Sequence, residues 1–343
     1  MSRNMQLVLS KLVEGVPLQP PELQDTFRSI MRGEIPESLV AALLVKFPAH
    51  GVSSAELTAA ARVVREFIIP VAPKDELPLI DLCGTGGSST HIFNVSTTAS
   101  FVAAAAGCYV AKHGNRSISS CCGSADVLEA VGLNLKLNSA ELALCLEEIG
   151  IAFMFTPMHR PALPTLNKIR KELAVRTVFN VLGPLTNPAG AKTQLVGVFD
   201  RSLTAVTAES LKALGSHRAF VVHGEEGLDE ISISGRTFIA ELRAGTITEF
   251  ILHPHDLDIE VASLSAIQVN SVEQAKDVFM GVLHNELGPA KDIVLINAAA
   301  ALYLSGKTES LIDGVRLAAQ TLESGSALRK YESLVAYTQR YTR

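Results

Sequence analysis

The residues best suited to chemistry lie between Gly84 and Asp126. Gly84-Thr85-Gly86-Gly87 follows a short apolar run. Asn94, Ser96 and Thr97 stand at the head of a stretch of small apolar residues, and Lys112-His113-Gly114-Asn115-Arg116 leaves a second apolar run at Cys108–Ala111. Glycines let backbone amides approach a ligand closely. Donor-rich turns ahead of a helix favour anions, and Lys112 and Arg116 add positive charge. Taken with the Gly-Ser-Ala-Asp stretch at 123–126, this combination predicts a phosphate site. The glycine turn by itself is no more than a tight turn between a strand and a helix. It lacks the Gly-Lys-Ser/Thr ending of a Walker loop, Ser89 stands where a dinucleotide fingerprint needs a third glycine, and residues 104–112 contain no acid.

These groups need elements to hold them. Leu79–Cys83 reads as a strand, and Thr97–Ala106 as a buried helix with cap residues Asn94 and Ser96 before it and Gly107 after it. Cys108–Ala111 is a second strand, and Asp126 with Glu129 opens a helix that stops at Gly132. Two donor-rich loops therefore leave the carboxyl ends of adjacent strands, where open α/β sheets bind ligands. The rhythm continues with a helix from Asn138 to Ile149, a strand at Ile151–Thr156 and a helix at Leu163–Ala174. Strands at Gln194–Phe199 and Ala219–His223 flank a helix at Leu203–Leu214. Such alternation implies an α/β fold with a mostly parallel central sheet. Arg236–Leu252, with Gly245 inside it, reads as an antiparallel excursion, and the chain from Ser271 onward as helices. Residues 1–69 also read as helices, with starts at Pro20-Pro21 and at Ser53 or Ser54, and Pro70 and Pro73 mark a passage between domains. The expected division is a small all-helical domain, 1–70, and a larger α/β domain, 71–343.

The totals narrow the function classes. A net charge of −5 argues against a nucleic-acid surface, because the basic residues stand singly in glycine loops and form no stripe. The 48% apolar content with only 5% aromatics and no Trp predicts an alanine and aliphatic core. The longest apolar run, Thr97–Ala111, starts polar and contains Ser100, so it reads as a buried helix and no membrane partner is expected. Five cysteines without CxxC spacing, Cys121-Cys122 included, read as small buried residues in a reducing cytoplasm.

Further along, Asp229 and Glu230 are adjacent acids after Gly227. Oxygen ligands of this kind suit magnesium, although such a pair by itself is an ordinary exposed turn. Arg170 has the fork geometry that pairs with a carboxylate, against the plainer reading of a surface charge paired with Glu172.

In order and spacing, GTGG, FNVST, KHGNR, GSADVLE, RTVFNVLGPLTNP at 176–188 and HGEEGLDEIS at 223–232 resemble anthranilate phosphoribosyltransferases over essentially the whole chain. The resemblance implies a nucleoside phosphorylase/phosphoribosyltransferase-like fold, with the helical domain completed by helices near 163–190. It also implies a homodimer through the N-terminal helices and a cytoplasmic enzyme of tryptophan biosynthesis. The implied reaction is magnesium-dependent transfer of phosphoribose from phosphoribosyl pyrophosphate to the amine of anthranilate or a related aromatic carboxylate, releasing pyrophosphate. Residue by residue, the resemblance assigns Gly84, Gly86, Gly87, Ser88, Asn94, Ser96, Thr97, Lys112, Ser119, Ser120 and Ser124 to phosphoribosyl pyrophosphate. It assigns Gly84, Asn115, Arg170 and Arg160 to the acceptor, and Ser96, Asp229 and Glu230 to magnesium. His113 is given packing as its role and no catalytic residue is assigned.

Three positions depart from the pattern. Ser88-Ser89 replace Asp-Gly, Ile92 replaces Thr, and Arg160 replaces a His before Pro-Ala. These changes raise the expectation of a divergent paralogue with an altered acceptor. Two other readings stay open: pyrimidine nucleoside phosphorylase-like activity, from the lysine loop, and a catalytically inactive nucleic-acid-binding family member.

Overall fold

The computed structural model describes residues 2–16, 18–47, 51–74, 76–86, 91–117, 121–160 and 164–342. It begins with helices α1 (Ser2–Val13), α2 (Pro20–Met31), α3 (Glu37–Lys46) and α4 (Ser54–Glu66). α2 opens on Pro20, where a missing N–H costs nothing. α4 opens on a reciprocal cap: Glu56 N–H donates to Ser53 Oγ, and Ser53 N–H donates to the Glu56 carboxylate at 2.9 Å.

The α/β rhythm then follows as β1 (Leu79–Gly84), α5 (Val95–Ala105), β2 (Tyr109–Gly114), α6 (Ser124–Ala130), α7 (Ser139–Ile149) and β3 (Ile151–Phe155). α7 has the expected Asn138–Glu141 cap and ends on left-handed Gly150. Three helices come next, α8 (Thr156–His159), α9 (Pro164–Leu173) and α10 (Val178–Leu182), and then β4 (Thr193–Gly197), α11 (Leu203–Ala213) and β5 (Arg218–Gly224). β6 (Thr237–Arg243) and β7 (Thr246–Leu252) form the expected antiparallel hairpin, turning through Ala244 and Gly245, both with positive φ. Helices α12 (Val272–Leu283), α13 (Pro289–Leu304), α14 (Leu311–Glu323) and α15 (Ser326–Gln339) complete the described chain.

All seven strands make one sheet, ordered β3-β2-β1-β4-β5-β6-β7. The first five are parallel, and β5, β6 and β7 pair antiparallel. The chain leaves β1 towards β2 on one side and leaves β4 towards β5 on the other. β1 and β4 therefore flank the switch point, whose carboxyl-end crevice is the usual ligand position.

Alternate strand residues feed two cores, as the strand period of two requires. Ile80, Leu82 and Phe220 join α5, α12, α13 and α15 on one face. Cys83, Val196 and Val221 join α4 and α11 on the other. The first core is alanine-rich, with Ala298–Ala301 of α13 buried, so α13 lies directly on α5. The N-terminal helices share the second core with α9 and α10: the Phe27 and Phe179 rings lie 5.5 Å apart, Val178 N–H donates to Phe47 O at 3.0 Å, and Lys168 pairs with Glu37 at 3.2 Å. Among the described residues, no helix is long and apolar enough to cross a membrane.

Candidate active site

At the switch point Gly84 of β1 stands opposite Gly197 of β4. The loop after β5 returns across both. A Cβ on Gly197 would lie 1.7 Å from the Asp229 carbonyl oxygen, and one on Gly84 would lie 2.3 Å from Asp229 Oδ2. Only glycine allows the acidic loop to seat on these strand ends. Gly84 thus meets a requirement beyond the phosphate approach read from its motif. Gly86 has positive φ (+69°) with open space beside it, as a turn residue offering its amide would. That amide donates to Asp229 Oδ2 at 2.8 Å.

The neighbouring acid closes the start of α5. Asn94 occupies the cap position but makes no side-chain cap bond. Its amide donates instead to Cys122 O at 3.2 Å, tying the 121–123 loop to the helix. Glu230 supplies the acceptor at the helix N-terminus, taking Ser96 N–H at 3.1 Å. Burial first, and Asp229 second, push the Glu230 carboxyl up to about 8. The two acids are therefore not the exposed turn that sequence alone implies: Asp229 is buried and Glu230 half-buried.

Lys112 reaches the same point from β2 and is only 4% exposed. Its ammonium donates to Leu82 O and, at 3.2 Å, to Ser96 Oγ. Burial pulls its pKa down, and the charge of Asp81 most strongly opposes this. Asp81, which the sequence reading passed over, is fully buried beneath it. Its carboxylate accepts His113 N–H at 3.1 Å and the Asn187 amide at 2.8 Å, and Asn187 also donates to Ala111 O at 2.8 Å. This bracket fixes the end of β2, and Lys112 with it. An acid inside the apolar run Leu79–Cys83 was the one available signal for it.

The KHGNR loop runs over Gly123, where a Cβ would lie 2.3 Å from Ser117 N. Ser124 Oγ donates to Asn115 O at 3.2 Å, so these two expected ligands adjoin. Thr97 is buried in the first turn of α5. Arg116 is not free for an anion: it pairs with Asp126 at 3.0 Å and with Glu129 at 2.8 Å. Gly87, Ser88, Ser119 and Ser120 lie outside the described residues. Ile92 bridges to Gln268 and packs on the sheet core, so an apolar side chain has a structural place there.

The other wall is basic. Arg170 of α9 makes no pair with Glu172 among the described residues, and its guanidinium sits 5.8 Å from the centre of the Phe179 ring. Arg160 donates to the Thr186 hydroxyl. His113 is buried, and its Nε2 lies 3.1 Å from Thr156 Oγ1, which donates to Gly114 O at 2.8 Å. Burial, and then the charges of Arg160 and His159, press the His113 pKa well below the usual value and keep the ring neutral. An orienting and packing role fits it.

The donor set suits a hard cation. Asp229, Glu230 and Ser96 offer oxygens only, and no group of three or more His, Cys, Asp or Glu among the described residues makes a cage. Two carboxylates facing phosphate ligands are the usual protein share of a magnesium site.

A model described as the glycosyl transferase family a/b domain matches residues 76–328, and one described as its helical bundle domain matches residues 6–68. An anthranilate phosphoribosyltransferase of Laribacter hongkongensis is 47% identical over 335 residues, covering 98% of each chain. One of Nitrosomonas europaea is likewise 47% identical over 335 residues, again 98% of each. Among solved structures, the anthranilate phosphoribosyltransferase of Thermus thermophilus superposes with a TM-score of 0.90 at 40% identity, covering 96% of this chain and 99% of that one. The Saccharomyces cerevisiae enzyme, in complex with PRPP and Mg, has a TM-score of 0.90 at 26% identity, covering 99% of both.

Proposed function

The chain belongs to the anthranilate phosphoribosyltransferase family, and on that premise we propose that it transfers phosphoribose from phosphoribosyl pyrophosphate to the amine of anthranilate. One observation carries this reading on the structural side: Lys112, Ser96, Asp229 and Glu230 converge on glycine backbone at the sheet's switch point. In the reaction, the bond from the amine nitrogen to the sugar anomeric carbon forms as the bond from that carbon to pyrophosphate breaks. Pyrophosphate leaves with the bonding pair, and the amine sheds a proton to water.

Positioning and charge stabilisation do most of such work. Asp229, Glu230 and the Ser96 hydroxyl would hold magnesium, which supplies neutralising charge for the departing pyrophosphate. Lys112 binds phosphate oxygens beside the Gly84–Gly86 turn, whose Thr85 and Gly86 amides hold Gly197 O and Asp229. The loops carrying Asn94 and Ser124 flank them, with Gly87, Ser88, Ser119, Ser120 and Thr97 assigned to the same substrate. Arg170 takes the acceptor carboxylate and Asn115 lies beside the ring, so the nucleophile is oriented by its acid group.

The shared core of α1–α4, α9 and α10 supports a helical domain of residues 1–70 plus these two helices, against an α/β domain spanning the rest of 71–343. Leu7, Val13, Val16 and Val45 expose apolar surface on the N-terminal helices, which supports a homodimer through that face. All five cysteines are free, as a cytoplasmic protein's would be. The direct test is pyrophosphate release with phosphoribosyl pyrophosphate, magnesium and anthranilate. Release that depends on anthranilate is expected, and its absence would refute the reading.

A further inference from the structure

Four nitrogen-rich side chains crowd the wall built by the end of β2, α8 and α9: His113, His159, Arg160 and Arg170. Their hydrogen bonds leave much of them unused. Arg160 has Thr186 as its one hydrogen-bond partner, and its Nε is enclosed with no partner. His159 gives Nδ1–H to Ile69 O at 3.1 Å, and its Nε2 is likewise buried and unpartnered. Among the described residues, Arg170 has the Phe179 face and no hydrogen-bond partner.

Among the described residues, no carboxylate pairs with either guanidinium. Burial and then Arg170 bring Arg160 down to about 10, and burial alone lowers Arg170, with no acid opposing either. The phosphate corner differs, since there Asp81 and Glu230 face Lys112. Both side chains are half-buried, and a guanidinium withdrawn from water without a partner is unfavourable. A single bidentate fork suffices for one carboxylate. The second guanidinium therefore calls for a second anion.

We propose that Arg160 forms an anion subsite beside Arg170, so that the enzyme prefers anthranilate-type acceptors bearing a second carboxylate. Arg170 holds the carboxylate ortho to the amine, and Arg160 receives the added one through Nε and its remaining N–H groups. This rests on the acceptor reading given above. The rival source of the anion is the pyrophosphate group itself.

Calorimetry on the full chain separates these cases. The ligands are anthranilate, inorganic pyrophosphate and the four aminobenzene dicarboxylates that keep the amine ortho to a carboxylate. At least one dicarboxylate should bind ten or more times tighter than anthranilate, a factor equal to about 1.4 kcal/mol. Arg160→Gln should abolish that preference, and Arg160→Lys should retain part of it. Equal binding of all five acids by the unaltered protein would overturn the subsite. So would a preference that survives Arg160→Gln, or an Arg160→Gln effect confined to pyrophosphate. Turnover of the same acids with phosphoribosyl pyrophosphate and magnesium is read in parallel. Absent turnover with an intact Arg160-dependent binding preference would refute the transferase reading and leave the subsite standing.

Discussion

The proposed site has two sides, a phosphate wall around Lys112 and an acceptor wall around Arg160, built on opposite electrostatic plans. At the phosphate wall, acids and a lysine interleave: Asp229 sits on the Gly86 amide, Glu230 on the Ser96 amide, and Lys112 between Ser96 and the buried Asp81. At the acceptor wall, Arg160 and Arg170 stand among imidazoles, and no acid among the described residues pairs with them. The phosphate wall is held largely by backbone and strand ends. Both walls draw on segments far apart in sequence, from Asp81 to Glu230 in the first and from His113 to Thr186 in the second. A wall that balances its own charge can be rigid before substrate arrives. One that does not is completed by its ligand, and so that is where selectivity is set.

The sharpest way to break this contrast is to lift the acidic loop off the strands. Gly197→Ala places a methyl 1.7 Å from a backbone oxygen, which no rotamer change relieves. A misplacement of about 1 Å can cost roughly a hundredfold in rate. Turnover should fall by about that factor, together with a loss of roughly 1–3 kcal/mol in stability by denaturant titration. A Gly197→Ala protein with unaltered rate would mean that the seating of Asp229 does not matter.

A smaller effect probes charge balance on the phosphate wall. Glu230→Gln keeps the shape but removes one of two adjacent acids that repel each other without a cation. Turnover should drop at least tenfold, since a charge-assisted contact contributes about 1.5–3 kcal/mol. Towards pH 8 and above, where the raised Glu230 carboxyl ionises, the melting temperature of the metal-free protein should rise, and added magnesium should stabilise the variant less than the parent. Loss of both activity and metal-free stability would contradict the assignment.

The smallest effect concerns the acceptor wall's scaffold. Ala174, just past the helix that carries Arg170, has φ of +51°, a conformation that costs an L-residue about 1–2 kcal/mol. Ala174→Gly should raise stability by up to about 1 kcal/mol, less the glycine's greater unfolded-state entropy. A calorimetric melt reads this directly, and a lower melting temperature would show that the strain is not there.

Much of this was legible in the sequence, and what escaped it did so for physical reasons. β1, α5, β2 and α7 follow from apolar runs and their caps, because these are local signals. The Asn138–Glu141 cap with Gly150 at the other end marks α7 within a residue. Asn94 holds the cap position of α5 as its sequence suggests, but its side chain makes no cap bond, and Glu230 takes Ser96 N–H from more than a hundred residues away. The same distance hid Gly197, whose need for glycine comes from a loop that crosses it only in the folded chain. Arg116 read as charge available to an anion because its partners Asp126 and Glu129 lie one loop further on. Asp81 and Asn187 escaped because a buried polar pair inside apolar segments has no periodicity of its own.

The claim that the two walls serve different substrates is tested most directly by the kinetics of Arg170→Ala with both substrates varied. The kcat/KM for anthranilate should fall by about 10- to 150-fold, the equivalent of roughly 1.5–3 kcal/mol for a charge-assisted contact. The KM for phosphoribosyl pyrophosphate should stay within about twofold, the expected scatter for a group that does not touch it. Equal losses for both substrates, or none for anthranilate, would contradict the division of the cleft.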